Sequence, residues 1–263
     1  VEKTRHETGA KLALDSFPVK SLSQTASASS SVTDSAAGAT ALACAVRTNN
    51  GAVGVYPDDM NAEKSYPMNL CEFSKSKGMK TGVVTTDSTA GATPGGFSAH
   101  TSSRSNAAEI TQDQLESSLD LIWGAKTSRC SRSKAESAGF EYVTNFEEMS
   151  ALTAETRSFG QFDGALWKQD CGKLPTLTQM TAKAIELLDG GENGFFLMVE
   201  GAHIDKNSHG NNGEGMKEAL LSFDSAVKTA LDFAKKDGQT LVVVTADHET
   251  GGITLKNGEY VYT

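Results

Sequence analysis

The sequence predicts an α/β fold, a mainly parallel central sheet flanked by helices on both faces, formed by residues 1–263 as a single domain. Three observations carry this expectation. Amphipathic helical patterns alternate with short apolar runs, and the helical patterns close on glycine just before the runs begin. The apolar runs are continuous rather than alternating, as expected of parallel strands buried on both faces. A length of 263 residues allows one core to bury most of the surface that the unfolded chain exposes.

In chain order, Lys20 to Ser31 (KSLSQTASASSS) has the composition of a linker but is read instead as a strand or extended segment that leads into a helix. The small apolar run Ala36 to Val46 follows it, with Asp34 and Ser35 where the caps of a helix belong. An extended segment is therefore expected to deliver Asp34 and Ser35 to a helix N-terminus. Asn69 to Lys77 is helix-like, Gly78 stops it, and Lys80 to Thr86 reads as a buried strand. A helix is expected from Ala107 to Trp123 and a strand near Phe140 to Val143. Leu177, Met180, Ala184, Leu187 and Leu188 share one helical face, closed by Gly190 and Gly191 before a strand from Phe195 to Val199. Met216, Leu220, Phe223, Val227, Leu231 and Ala234 mark a long amphipathic helix, closed at Asp237 and Gly238, and Leu241 to Thr245 is expected to be a central strand. In such sheets the ligand crevice lies beyond the strand C-terminal ends.

Composition excludes some functions. The net charge is −9, with 24 Lys and Arg against 33 Asp and Glu, which argues against a nucleic-acid partner. No apolar run approaches the roughly 20 residues needed to span a bilayer. The four cysteines form no CxxC pair, so a thiolate zinc site is not expected. Cys44 and Cys71 read as buried small residues, whereas Cys130 and Cys171 lie in polar segments and are open to pairing or to remaining free.

Four polar clusters carry chemistry. EGAHIDKNSH, Glu200 to His209, follows a strand and places Asp205 and His209 at i, i+4, on one face if the segment is helical; carboxylate plus imidazole suits zinc. TADHETGG, Thr245 to Gly252, sets Asp247 and His248 at a turn that Gly251 and Gly252 permit. SVTDSAAGAT, Ser31 to Thr40, puts Ser35 at a helix N-terminus among small residues that leave room for an anion, with no His-Asp relay nearby, so a metal ion is the expected activator of its hydroxyl. GATPGGFSAHTSSR, Gly91 to Arg104, makes a loop at Pro94 to Gly96, offers Thr93 to a hard cation and Arg104 to phosphate oxygens, and has a structural rather than catalytic histidine in His100. Singly, each reads more readily as a cap, a polar turn or a solvated charge.

In this order and spacing the four clusters resemble the alkaline phosphatase family. The resemblance implies that Ser35 is the nucleophile, transiently phosphorylated, that Arg104 clamps the phosphate, and that Asp34 orients Arg104. It also implies that Lys206 lies near the phosphate. Asp205 and His209 would bind a first zinc, Asp247 and His248 a second, and Thr93 and Glu200 magnesium. Hydrolysis of small phosphate monoesters, an alkaline optimum, a homodimer and a periplasmic or extracellular address follow as expectations. The family's opening GDGMG-like turn has no counterpart before Val1, and its later GGHT-like zinc histidine would fall beyond Thr263. The chain is therefore expected to be truncated at both ends and to bind zinc weakly by itself. Gly91 stands where the family usually has Asp or His, which leaves the third metal site without one side-chain ligand. The rival readings are a phosphodiesterase or sulfatase on the same scaffold, or a non-catalytic phosphate- or metal-binding fragment. Ser35 and Arg104 favour monoesters, since those relatives typically use a threonine or a modified cysteine.

Overall fold

A computed structural model describes residues 1–60, 65–257 and 259–261. Among them a five-stranded, wholly parallel sheet takes the order β3-β4-β2-β1-β5, with β1 Lys80–Ser88, β2 Leu121–Ala125, β3 Glu141–Val143, β4 Ser158–Phe162 and β5 Phe195–Glu200. The helices are α1 Glu2–Thr8, α2 Ser35–Cys44, α3 Leu70–Ser76, α4 Ala92–Gly96, α5 Ala107–Glu116, α6 Arg132–Ser137, α7 Phe146–Ala151, α8 Leu177–Leu188, α9 His203–His209 and α10 Gly213–Asp237. A small antiparallel hairpin, β6 Thr254–Lys256 with β7 Glu259–Val261, follows.

The period-two geometry of strands divides the core between the two faces of the sheet. Val83, Ile122 and Phe159 point to one face and pack with Cys71, Leu115 and Phe140 beneath α3 and α5. Val84, Leu121, Trp123 and Phe162 point to the other and meet Met149 of α7 and Leu177, Met180, Ala184 and Leu188 of α8, with Ala226 of α10 behind. Both faces are thus covered by helices, as the apolar runs required. The capping chemistry is local and legible. Asn69 and Glu72 form a reciprocal capping box on α3, Thr176 and Gln179 form another on α8, and Gly238 closes α10 at φ 74°.

Three expectations are corrected, and one open question is decided. Helix α5 ends at Glu116, and Trp123, expected as its last residue, is a fully buried residue of β2. Leu119, Leu121 and Ile122 satisfy a helical or a strand pattern equally, and pairing with β1 and β4 decides for the strand. Leu241 to Thr245 forms no strand: Leu241 is 84% and Val243 72% exposed, and the run pairs with no described strand. The loop expected at Pro94 to Gly96 is the short helix α4, which proline tolerates in its first turn. All four cysteines are free, and Cys130 is buried in the core beside Tyr142 rather than bridged to Cys171.

The strand order locates the crevice. From β1 the chain moves outward through β2 on one side, then returns to place β5 on the other side of β1. The order therefore reverses between β1 and β5, and in open parallel sheets ligands bind beyond the strand ends at such a point.

Candidate active site

At the carboxyl ends of β1 and β5, Thr85 lies opposite Glu200 in parallel register, and its hydroxyl donates to Glu200 Oε2 at 2.5 Å. Thr93, in the first turn of α4, also hydrogen-bonds the Glu200 side chain. Burial pushes the Glu200 carboxyl up to about 7, and the negative charges of Asp87 and Asp247 add to this against the two threonine bonds.

Helix α2 begins at Ser35, and Asp34 is its cap. The Asp34 carboxylate accepts from Ala37 N at 3.0 Å, from Gly51 N at 3.0 Å and from Arg104 Nη1 at 2.9 Å. Burial pushes this carboxyl up, but the two backbone N–H groups and the guanidinium outweigh it and hold it below the usual range. Asp34 thus fixes Arg104 beside Ser35, a pairing no local pattern specifies because the residues are 70 apart.

The small residues of α2 allow close packing. Ala36, Ala37, Gly38 and Ala39 are buried, and a Cβ on Gly38 would stand 3.1 Å from both Cβ and the carbonyl oxygen of Asp247. The glycine lets the segment after Val244 approach the helix. His248 consequently lies with Nε2 2.9 Å from Ser35 Oγ, a contact between residues 213 positions apart that the stretch around Ser35 does not reveal by itself. His248 Nδ1 faces Glu249 O at 3.0 Å and Thr250 Oγ1 at 3.2 Å, and the Thr250 hydroxyl donates to Asp205 Oδ1 at 2.5 Å. Gly251 and Gly252, at φ 86° and 56°, complete the turn. Thr250 was not singled out in the sequence, although it lies inside the ADHETGG motif.

Segment 203–209 is helical, the condition under which the i, i+4 spacing puts Asp205 and His209 on one face, and Asp205 Oδ1 lies 3.5 Å from His209 Nε2. Lys206 of the same helix reaches Asp87 Oδ1 at 2.5 Å. His100 is structural, its Nε2 2.9 Å from Glu72, its Nδ1 2.6 Å from Gly54 O and its ring stacked on Tyr66.

Among the described residues, no group of three or more His, Cys, Asp or Glu side chains is assembled around a common point. The donors lie in pairs, Asp205 with His209 and Asp247 with His248 at 3.4 Å, beside Glu200 and Thr93. Burial raises the Asp247 carboxyl and the Asp205 charge raises it further, although His248 opposes this. Carboxylates that repel one another beside two imidazoles fit divalent cations of the zinc or magnesium type, because a cation relieves that repulsion.

Comparison with known proteins identifies the family. The family model described as alkaline phosphatase matches residues 2–128 and 111–263. Alkaline phosphatase 4 of Bacillus subtilis is 38% identical over 244 residues, covering 87% of this chain and 52% of the relative. The alkaline phosphatase of Escherichia coli is 36% identical over 277 residues, covering 82% of this chain and 58% of the relative. Among solved structures, the alkaline phosphatase of the Antarctic bacterium TAB5 superposes with a TM-score of 0.84 at 35% identity, over 97% of this chain and 76% of that one. A variant of that enzyme, described with magnesium bound, superposes at 0.81 and 32% identity, over 100% of this chain and 80% of that one. The chain spans about half the length of the curated relatives it matches. It belongs to the alkaline phosphatase family.

Proposed function

We propose that this member of the alkaline phosphatase family hydrolyses phosphate monoesters through a phosphoserine at Ser35. The observation that supports this most directly is the convergence at the start of α2: Ser35 Oγ 2.9 Å from His248, and Arg104 tied to the capping carboxylate of Asp34 at 2.9 Å. Arg104 presents a planar fork to the phosphoryl oxygens, and Lys206 adds an ammonium. Ser35 Oγ bonds to phosphorus as the ester oxygen leaves, and water then cleaves the phosphoserine to release phosphate and restore the hydroxyl. Two zinc ions, at Asp205 with His209 and at Asp247 with His248, and a magnesium ion at Glu200 with Thr93, would supply Lewis-acid charge and lower the pKa of bound hydroxyls. The charge that develops on phosphoryl oxygens is met by fixed positive groups, which makes catalysis largely electrostatic. A periplasmic or extracellular site of action and a homodimer belong to the same proposal and rest on the family resemblance; no helix among the described residues is long and apolar enough to cross a membrane.

The test is Ser35→Ala in the metal-loaded protein. Acid quenching with labelled phosphate should trap a phosphoenzyme in the parent and none in the variant, with bound metal unchanged. Labelling that persists in the variant defeats the assignment of Ser35. Relative rates on monoesters, diesters and sulfate esters separate the phosphodiesterase and sulfatase readings, and phosphate binding without turnover would favour a binding fragment.

A further inference from the structure

The last residues of β1 carry a carboxylate, Asp87, that the proposed mechanism does not use. Strands β1 and β2 stay in register up to Val84 opposite Trp123, and the next pairing is Ser88 with Ala125. Four steps along β1 thus match two along β2, an irregularity of the kind that bends a strand and re-aims its side chains. Asp87 N donates to Thr85 Oγ1 at 2.9 Å, the same hydroxyl that donates to Glu200, so this end of β1 is tied to the end of β5.

Asp87 Oδ2 lies 3.0 Å from the point where a Cβ on Gly91 would stand, and the Ser88 carbonyl oxygen and Pro94 Cγ crowd the same point at 3.0 and 3.4 Å. A side chain at position 91 would be a tight fit, and its neighbours would have to give by a few tenths of an ångström. The space beside Gly91 is filled by the carboxylate of Asp87, and its other oxygen, Oδ1, accepts from Lys206 Nζ at 2.5 Å.

We infer that Asp87, at the end of β1, is a positioning residue of the phosphate site, which holds the Lys206 ammonium ready for the phosphoryl oxygens. This rests on the reading of Lys206 as a substrate-binding residue. The side chain of Lys206 is 46% exposed; without an anchor it would surrender its rotamer freedom only on binding substrate. An ammonium has three donors, so the one given to Asp87 leaves two for phosphate. Position follows from the chain as well. Lys206 is next to Asp205, which accepts from Thr250, whose hydroxyl meets His248 on the side opposite Ser35.

The experiment is a double-mutant cycle in the metal-loaded protein, with inorganic phosphate as competitive inhibitor and a chromogenic monoester as substrate. Asp87→Asn should raise the phosphate inhibition constant and KM about tenfold, the lower end of what a charge-assisted hydrogen bond contributes, while kcat and bound metal hold. Asp87→Glu, which keeps a carboxylate, should recover part of the loss. In a Lys206→Ala background, Asp87→Asn should add nothing, because the two act through one contact. If Lys206→Ala leaves phosphate inhibition unchanged, the reading of Lys206 falls and this inference with it. If Lys206→Ala weakens inhibition while Asp87→Asn does not, or the two losses add, or Asp87→Asn strips bound metal, Asp87 does not act through Lys206 and the inference alone is overturned.

Discussion

Asp34 has two separable tasks, and replacing it by Ala or by Asn separates them. Its Oδ1 caps Ala37 N, and its Oδ2 accepts from Gly51 N and from the Arg104 guanidinium. Ala removes all three bonds. Loss of an N-cap costs about 1 kcal/mol, and leaving Gly51 N without its partner costs about 1 kcal/mol more, so Asp34→Ala should destabilise by about 2 kcal/mol. For a chain of this size that lowers Tm by roughly 4–8 °C. Asn caps as well as Asp, but its single amide oxygen cannot serve both Ala37 N and Gly51 N, so Asp34→Asn should cost about 1 kcal/mol at neutral pH, half the loss of Asp34→Ala. Neither variant holds Arg104 by charge, so both should weaken inhibition by inorganic phosphate about tenfold. The pH dependence has a definite sign. The folded carboxyl is held below its ordinary value, so its contribution is fully present above the unfolded pKa of about 3.9 and fades as pH falls through the folded value. The stability gap between parent and Asp34→Asn should therefore close in acid. Calorimetry from pH 7 down to the acid limit, run beside phosphate inhibition of the three proteins, provides the measurements. If Asp34→Asn is as unstable as Asp34→Ala, the cap argument is wrong; if both bind phosphate as the parent does, Asp34 does not set Arg104.

Two further outcomes follow from packing. Gly38→Val forces side-chain atoms onto the backbone of Asp247, already 3.1 Å from a bare Cβ; overpacking of this kind costs about 1–3 kcal/mol and should displace His248 from Ser35, so turnover should fall further than thermal stability does. Trp123→Ala empties a fully buried site and leaves Ser158 Oγ without the indole donor at 3.0 Å; a loss of about 3–5 kcal/mol in denaturant unfolding is expected, and a loss under about 1 kcal/mol would show that the sheet repacks around the gap.

The sequence by itself determined what depends on near neighbours along the chain. The alternation of helix and apolar run, the caps at Asn69 and Thr176, the stop at Gly238 and the helical pairing of Asp205 with His209 are set by contacts within a few residues. The four chemical clusters were legible because each is contiguous and follows an apolar run or opens a helix. Tertiary structure decided whatever depends on which segments meet. The run Leu241 to Thr245 has the composition of a strand, but a strand exists only through its neighbours, and among the described residues none pairs with it. Trp123 passed from the end of a helix to the centre of a sheet because β1 and β4 flank it. Cys130, in a polar stretch of sequence, is enclosed by Tyr142 and other core side chains from elsewhere in the chain. The contacts that assemble the site join residues far apart, Ser35 with His248 across 213 positions and Lys206 with Asp87 across 119. Side-chain periodicity reports which face of an element is apolar and is silent about its partner, so only the strand order, which reverses between β1 and β5, brings those groups to one crevice.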